Sequence, residues 1–418
     1  MTPQLEKARR YEKEGEQAIK AEERPALHLT PRCGWMNDPN GFSYYGNRVH
    51  LFYQYAPYQT TWGPMHWGHA VTRDFLHWEY RPCVMAPDTK ADRDGCFSGT
   101  ALTMPDGRQK LFYTGVTKAE ELQVQCAAVG DGEDYEKLPD NPLIDASMLP
   151  DGYFHKDFRD PKVWKEEDGL YRMLVSARNA QGDGELLLFS SPDSETWEFS
   201  SVLYRGETGA GVMLECPDLF HLDGKDVLLV SPMGGSPYAC IGTVDPKTWE
   251  FRVESRQQLD LGPDFYAPQT MEMPDGRRIM IGWMQNWDTV AEKTKGRKIA
   301  GQMTLPRELR IRDQKLFQCP VRELMDGVTS REETGIVAKG GVLTLQSETE
   351  QGAEMIRLEG SDQRYVLLLD RFSAELFCET TGETRTECFA KQQVERKICL
   401  PGLGAGEERL RMERCLIS

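Results

Sequence analysis

From about residue 28 onward, apolar segments of strand length alternate with clusters of Gly, Pro, Asn and Asp. Five of these clusters are hairpin turns, and each one leads into an apolar strand. A spacing of about 57 residues between successive turns indicates an internal repeat, with room for about four strands in each unit. The turns are Gly46-Asn47, Asp106-Gly107, Asp168-Gly169, Asp223-Gly224 and Asp275-Gly276, and their second residues are separated by 60, 62, 55 and 52 positions.

A second repeat, Asp-x-x-x-aromatic-Glu, follows the first in phase, with copies that begin at Asp74, Asp131, Asp193 and Asp245. We interpret each copy as a turn into an outer strand, anchored by its aromatic residue. No fifth copy is visible after Trp283. Five units of four strands predict an all-β fold, namely a five-bladed β-propeller. A large β-sandwich would not explain the constant period.

Different patterns flank the repeat. Residues 2–23 have the periodicity of a short amphipathic helix, which we interpret as a docking appendage. After residue 320 the repeat stops, and a new all-β pattern has strands predicted at 341–345, 365–369, 374–377 and 398–400. The predicted organisation is a helical appendage (1–26), the propeller (27–320), a linker (321–334) and a small C-terminal β-sandwich-like domain (335–418).

The composition narrows the classes of partner. The formal charge of −16 opposes binding to nucleic acid and to an anionic membrane surface, and no basic cluster offsets it. The charged N-terminus is unlike a signal peptide, and no apolar run could span a bilayer, so we predict a cytoplasmic protein. The 11 scattered cysteines lack Cys-x-x-Cys spacing, which argues against a disulfide framework and a zinc site. We expect a small, neutral or weakly charged substrate and no cofactor.

Carboxylates recur at one position of the repeat. Counting nine residues back from the second residue of each turn gives Asp38, Ser98, Asp160, Glu215 and Ala267. Equivalent positions on propeller blades lie at equal distances from the central axis, so three acids and a hydroxyl should converge there. Converging acids repel one another unless a substrate, a cation or an arginine uses them. A calcium or magnesium site is the alternative, but the acids come from three blades, so we favour catalysis and expect no metal.

Aromatic and amide residues accompany the acids along the chain. Stacking rings, amides and carboxylates together suit a sugar, whose C–H faces pack on aromatic rings while its hydroxyls form hydrogen bonds. Trp35 and Trp62 are the strongest candidates for contacts with the ligand. The full set is Trp35, Gln54, Tyr55, Trp62, Trp67, Phe97, Tyr266, Trp283 and Trp287. Two well-placed carboxyl groups are what glycoside cleavage requires.

The motifs around these residues resemble those of glycoside hydrolase family 32, the β-fructofuranosidases such as invertases and sucrose-6-phosphate hydrolases. The resemblance runs from about Leu27 to Leu324. The matching runs are Trp35 to Gly41, Gly63 to His69, Phe97-Ser98-Gly99, Phe158 to Pro161, Glu215 to Asp218, Phe265 to Gln269 and Met303 to Leu309.

This resemblance implies a five-bladed propeller with a C-terminal β-sandwich, and retaining hydrolysis at C2 of fructose. It implies that Asp38 is the nucleophile, that Glu215 is the acid/base, and that Asp160 holds sugar hydroxyls and stabilises the transition state. Asp38 is then expected to be ionised and Glu215 protonated. The residues expected around the fructosyl unit are Asn37, Gln54, Trp62, Phe97, Ser98 and Arg159, and we add Trp35, Tyr266 and Trp283 from the aromatic set.

Several points stay open at this level. Only about 85 residues follow the predicted linker, fewer than the sandwich of the family usually has, so we expect a shortened second domain. A homo-oligomer built through that domain stays open. Sucrose, sucrose 6-phosphate and short fructans all present the same fructosyl end. A fructosyltransferase would use the same acids, and a non-catalytic sugar-binding propeller would use the same aromatic residues.

Overall fold

A computed structural model of the chain describes residues 1–346, 352–391 and 395–417. Within these ranges, five antiparallel sheets form the blades of a propeller, and the inner strand of each blade packs against that of the next. The inner strand of the last blade packs against that of the first and closes the ring. The five-bladed propeller that the repeat predicts is therefore confirmed.

Each of the first four blades uses four consecutive strands, beginning with the inner one. Blade five takes β17, β18, β20 and β21, while the short β19 pairs in parallel with β1 of blade one. This pairing couples the last blade to the first. The strands are β1 (Gly34–Tyr45), β2 (Arg48–Ala56), β3 (His66–Thr72), β4 (Glu79–Met85), β5 (Gly95–Thr103), β6 (Gln109–Thr117), β7 (Leu122–Gly130), β8 (Tyr135–Lys137), β9 (Tyr153–Lys165), β10 (Tyr171–Asn179), β11 (Gly184–Ser191), β12 (Glu198–Arg205), β13 (Leu214–Leu222), β14 (Lys225–Pro232), β15 (Tyr238–Val244), β16 (Phe251–Gln258), β17 (Tyr266–Glu272), β18 (Arg278–Trp283), β19 (Ile299–Ala300), β20 (Arg307–Arg312) and β21 (Lys315–Pro320).

Both sequence repeats have a structural counterpart. All five predicted turns connect the first and second strands of a blade. The aspartates of the second repeat precede the fourth strand of blades one to four, and each accepts hydrogen bonds from backbone N–H groups two and three residues later. In blade five a tight turn at Asp313 and Gln314, both at positive φ, takes its place. Blade five therefore has a fourth strand like the other blades, but a different turn leads into it.

The N-terminal helix α1 (Pro3–Gln17) is shorter than predicted. Thr2 caps it by accepting a hydrogen bond from the Leu5 N–H. Past Gln17 the chain leaves the helix and forms a separate 3-10 turn (Ala21–Glu23), in which the Glu23 carboxylate accepts the Lys20 N–H. This hydrogen bond starts a separate turn after α1. The prediction of one continuous helix over residues 2–23 is therefore wrong. The helix packs on β4 of blade one.

The C-terminal part is one eight-stranded sheet, in the order β27-β26-β25-β24-β29-β22-β23-β28. Side chains from both ends of this sheet share one core, so the sheet bends over itself as a sandwich does. A short helix, α3 (Arg322–Asp326), leads into it, and β22 begins inside the predicted linker. The strands are β22 (Val328–Lys339), β23 (Val342–Gln346), β24 (Glu354–Glu359), β25 (Arg364–Asp370), β26 (Ser373–Cys378), β27 (Thr384–Cys388), β28 (Glu395–Cys399) and β29 (Glu407–Ile417).

The helices within the described ranges are short. A further one, α2 (Val290–Lys293), lies in the connection between β18 and β20. None of the described helices is long and apolar enough to cross a membrane.

A buried charge network, the junction network, fastens the C-terminal sheet to the propeller. The His28 ring contacts Asp370 at 2.8 Å and Glu375 at 2.9 Å, and Arg307 contacts Glu375 at 2.6 Å and Asp260 at 3.0 Å. These side chains are at most 1% exposed. Burial alone would lower the pKa of His28, but its two carboxylate partners raise it to about 9. His28 is therefore an imidazolium at neutral pH.

We expect His28→Gln to lower the free energy of unfolding at pH 7 by about 3–5 kcal/mol, because two buried carboxylates lose their shared cation. The folded pKa of His28 lies above its unfolded value, so its stabilisation is complete below pH 6.5 and is lost as the pH rises through about 9. The deficit of the variant should therefore shrink between pH 7 and pH 10 in urea unfolding. His221→Gln, at an exposed pair with Asp226, is the control and should change stability by less than about 0.5 kcal/mol. A deficit independent of pH would contradict the charged state of His28.

Candidate active site

Every inner strand carries a β-bulge at the same level of the ring. In each blade the regular pairing with the second strand is interrupted for one or two residues. A bulge bends its strand and redirects side chains, and three of the five contain a proline, which cannot donate to the ladder. The bulged residues are Asn37-Asp38, Ser98, Asp160-Pro161, Cys216-Pro217 and Ala267-Pro268.

Glu215 lies one residue ahead of its predicted register. It is the last paired residue before its bulge, as are Arg159 and Tyr266 in the neighbouring blades, and Cys216 occupies the bulge itself. The connection after the inner strand has two residues in blades one and four and five residues in the other blades, and β1 has a second irregularity between Asn40 and Ser43, so a fixed count from the turn does not reach the same level in every blade. The prediction that the three acids share one register is therefore wrong: Glu215 precedes its bulge, Asp160 is the first residue of its bulge and Asp38 is the second.

A cavity of about 360 Å³ opens at this level of the ring. Nine of the predicted site residues line it: Asn37, Asp38, Gln54, Trp62, Phe97, Ser98, Arg159, Asp160 and Glu215. Gln123, Met233 and Trp287 line it as well. Gln123 and Met233 escaped sequence reasoning because they follow the second strands of their blades and belong to no motif. Trp287 belongs to the aromatic set that accompanies the acids.

Three predicted contact residues lie outside the cavity lining. Trp283 is fully buried, and its ring lies 5.9 Å from that of Trp35 and 4.6 Å from that of Trp287. Trp35 is 3% exposed and donates its ring N–H to Asn37 Oδ1 at 2.8 Å. Trp35 therefore supports Asn37, and the Trp283 ring packs against Trp287. The direct sugar contacts of Trp35 and Trp283 stay predictions. Tyr266 contacts Glu215 instead of the cavity.

Asp38 is held by neutral hydrogen-bonding groups. Ser98 Oγ donates to Asp38 Oδ2 at 2.8 Å, whereas the buried Oδ1 has no hydrogen-bond partner in the described part of the protein. Burial raises the pKa of Asp38 above its ordinary value, and the nearby Glu215 adds to this shift, while Asn37 and Ser98 oppose it. Burial thus makes the ionised form of Asp38 costlier than in water, while Asn37 and Ser98 stabilise that form.

Asp160 is a buried acid with a raised pKa. Burial raises its pKa to about 7 despite the opposing charge of Arg159, and Glu215 and Asp38 add to the shift. Its Oδ2 accepts the Cys216 N–H at 2.9 Å, and its backbone has a φ of 67°, in the left-handed region. Aspartate adopts this conformation more readily than most residues, which suits it to the bulge.

Glu215 is paired with a cation and a phenol. Arg159 donates to its Oε1 from Nη2 at 2.8 Å and from Nε at 3.1 Å, and the Tyr266 hydroxyl donates to its Oε2 at 2.5 Å. Burial lowers the pKa of Arg159, but Glu215 and Asp160 outweigh this effect and raise it. Both oxygens of Glu215 therefore accept hydrogen bonds that stabilise its charged form.

Within the described ranges, no cluster of three metal-ligating side chains is arranged to hold an ion.

The propeller with acids on the inner strands of three blades lies in a part of the chain that matches the profile of a known family. The profile of the glycosyl hydrolases family 32 N-terminal domain matches residues 28–320. The chain belongs to glycosyl hydrolase family 32. The resemblance on which we base the expected fold and enzyme class is thus confirmed.

Curated relatives within family 32 are similar over most of the chain. Raffinose invertase of Escherichia coli is 39% identical over 79% of this chain and 71% of its own length. A sucrose-6-phosphate hydrolase of Escherichia coli is 40% identical over 72% of this chain and 65% of its own length. The chain thus matches less than two thirds of the length of this second relative, and 64% of another from Zymomonas mobilis.

Solved structures of the family extend the similarity to the C-terminal sheet. The GH32 β-fructofuranosidase of Bombyx mori is 29% identical, with a TM-score of 0.82 over 99% of this chain and 97% of that one. A sucrose-6-phosphate hydrolase from Lactobacillus gasseri shares the fold, with a TM-score of 0.80 at 23% identity over 98% of this chain and 96% of that one. The similarity to these structures therefore covers both the propeller and the C-terminal sheet.

We expect Asp160→Asn to stabilise the protein. The folded pKa of Asp160 is raised to about 7, so ionising it costs free energy that grows from about pH 4 to pH 7 and is constant above. The variant should gain about 1–3 kcal/mol of unfolding free energy at pH 8 and less at pH 4.5, measured by urea unfolding. Asp92→Asn is the control of opposite sign, because Asp92 is a buried partner of Lys137 at 2.7 Å. Equal effects of Asp160→Asn at both pH values would contradict the raised pKa.

Proposed function

We propose that this protein is a retaining β-fructofuranosidase that releases fructose from sucrose or a close derivative of it. The proposal depends on one observation: Asp38, Asp160 and Glu215 line the same cavity. Two carboxyl groups with different hydrogen-bond environments are what a retaining glycosidase needs. The names of the family relatives, raffinose invertase and sucrose-6-phosphate hydrolase, support the fructoside as substrate.

Asp38 acts as the nucleophile in this proposal. Its carboxylate attacks C2 of the fructosyl unit while Glu215 donates a proton to the glycosidic oxygen, and the bond between C2 and that oxygen breaks. The product of this step is a fructosyl ester of Asp38 and a free leaving sugar. Ser98 orients Asp38 through the hydrogen bond to Oδ2.

Glu215 reverses its role in the second step. Its carboxylate takes a proton from a water molecule, the oxygen of that water forms a bond to C2, and the ester bond to Asp38 breaks. Fructose leaves with retained configuration, and both acids return to their starting states. Asp160 contributes hydrogen bonds to sugar hydroxyls and a charge that stabilises the oxocarbenium-like transition state.

The leaving group lies towards the rim of the cavity. Trp62 is 41% exposed, Trp287 41% and Met233 52%, so apolar surface surrounds the opening. A pyranose ring stacks well on such surface. We therefore propose a small glucosyl leaving group, phosphorylated or not, and a small soluble sugar as the partner of this protein.

We expect Asp38→Asn and Glu215→Gln each to reduce fructose release from sucrose on the order of 10³-fold or more, because each removes a group that the chemistry requires. Glu254→Gln, at an exposed pair with Lys225 on an outer strand, is the control and should keep full activity. Circular dichroism and thermal unfolding would show that each variant is folded. Near-normal activity of either site variant would refute its assigned role.

The substrate is tested with sucrose, sucrose 6-phosphate, kestose and inulin at equal concentrations. We expect the two disaccharides to be cleaved with a kcat/KM at least about tenfold above that for inulin, because the cavity is small and its apolar rim takes one sugar ring. Product analysis at high sucrose distinguishes hydrolysis from transfer to a second sugar. Predominant formation of trisaccharides would point to a fructosyltransferase, and no turnover of any fructoside would point to a sugar-binding protein.

A further inference from the structure

Arg159 lies between two carboxylates at the wall of the cavity. Its Nη2 is 2.8 Å from Glu215 Oε1, and its Nη1 is 3.5 Å from Asp157 Oδ1. The other oxygen of Asp157 is fixed by Arg178 at 3.2 Å, and the Asp157 side chain is 16% exposed. A small rotation of the guanidinium group can therefore exchange one carboxylate partner for the other. Arg159 keeps an ion pair in both positions, so neither position leaves a buried charge alone.

The position seen in the structure conflicts with the role of a general acid. Both oxygens of Glu215 accept hydrogen bonds from Arg159 and Tyr266, an arrangement that suits a carboxylate and not a carboxylic acid. The glycosidic oxygen of a fructoside has no hydrogen to donate. An ionised Glu215 would therefore face it with lone pairs only, whereas a protonated Glu215 would donate a hydrogen bond to it.

We propose that Arg159 moves from Glu215 to Asp157 when a fructoside enters the cavity, and that Glu215 then takes up the proton that it later donates. The proposal rests on the proposed function and deepens it, because it makes Asp157 a positioning residue that acts through Arg159. The proton comes from solvent, is passed to the leaving sugar, and is regained from the water that cleaves the ester. No further reactant is required.

The exchange is driven by the substrate, which binds with different affinity to the state with Arg159 on Glu215 and to the state with Arg159 on Asp157. Substrate binds better to the state with a protonated Glu215, because that state forms the hydrogen bond to the glycosidic oxygen. A ligand that prefers one state shifts the population towards it, and the coupling is reciprocal, so substrate binding must promote proton uptake. Gln123 supports both positions, since its Oε1 accepts from Arg159 Nη1 at 3.3 Å.

Charged and titratable groups reach this pair from several strands. Tyr266 on β17 keeps its hydrogen bond to Glu215 in both positions of Arg159, so it affects both states alike. The groups that face Glu215 and Arg159 are Asp38 on β1, Asp157 and Asp160 on β9, Arg178 on β10, Cys216 on β13 and Tyr266 on β17.

The test compares the pH dependence of kcat/KM with that of kcat for sucrose hydrolysis. The first reports the free enzyme and the second the enzyme–substrate complex, and sucrose itself does not titrate in this range. In the wild type we expect the alkaline limb of kcat to lie at least about one pH unit above that of kcat/KM, because Arg159 stabilises the charged Glu215 only in the free enzyme.

Asp157→Asn removes the second partner of Arg159. Arg159 should then stay on Glu215 in both states, so the two alkaline limbs should lie within about 0.3 pH unit of each other and kcat at pH 7 should fall about tenfold. If Asp157→Asn acted only by removing a negative charge near Glu215, the alkaline limbs of kcat and of kcat/KM would move equally, and the distance between them in pH would not change. Asp168→Asn is the matched control, because Asp168 forms an ion pair with Arg172 in the same blade, away from the cavity.

Tyr266→Phe provides the opposite shift. It removes one donor to the charged form of Glu215, so both alkaline limbs should move to higher pH while their separation persists. Coincident limbs in the wild type, or an undiminished separation in Asp157→Asn, would overturn the exchange and leave the proposed function intact. If Asp157→Asn does not fold, the distance in pH between the alkaline limbs of kcat and kcat/KM in the wild type tests the exchange. Absence of fructose release from the wild type would refute the proposed function and the exchange with it.

Discussion

The packing of five inner strands around one axis is the constraint on which this structure depends. Strands that converge so closely leave little space for side chains, and a regular pleat would point every second side chain into that space. A bulge at the same level of each strand breaks the pleat and turns polar side chains to one end of the ring. Next to the bulge of β5, Gly99 lets the backbone approach β6 of the same blade, because a Cβ at this position would lie 1.9 Å from the Phe112 carbonyl oxygen.

Convergence buries three acids together, and burial, with a smaller contribution from their mutual repulsion, raises the pKa of Asp38 and Asp160. Arg159 is the one cation that touches the cavity wall in the described part of the chain, and it pairs with Glu215. Asp38 and Asp160 receive neutral donors instead, so burial raises the pKa of both. The site is therefore less stable than an apolar ring centre of the same shape would be. Such stored electrostatic strain is characteristic of catalytic sites.

The junction network shows the same residue types in a purely structural arrangement. Each carboxylate there faces a cation or backbone N–H groups, and Asp370 also accepts the N–H groups of Ala26 and Leu27. Its pKa is lowered because these hydrogen bonds and the His28 charge outweigh the effect of burial. Asp38 Oδ1, by contrast, has no partner within the described residues. The carboxylates of the junction network are thus fully paired within the protein, whereas Asp38 keeps one oxygen that can contact a substrate.

The sequence by itself determined the number of blades, because turn signals and apolar strands repeat locally and each blade is built from consecutive strands. It also predicted nine residues that line the cavity: seven lie in or beside the bulges, and Gln54 and Trp62 come from the set of aromatic and amide residues that accompanies the acids. The register of Glu215 needed the tertiary structure, because the length of a turn changes the count without changing the position in space. The roles of Trp283 and Tyr266 needed it too, since an aromatic residue near the site can line the cavity or support its wall. The pairing of Glu215 with Arg159 and Tyr266 joins three blades across long sequence distances, and only the closed ring brings these residues together.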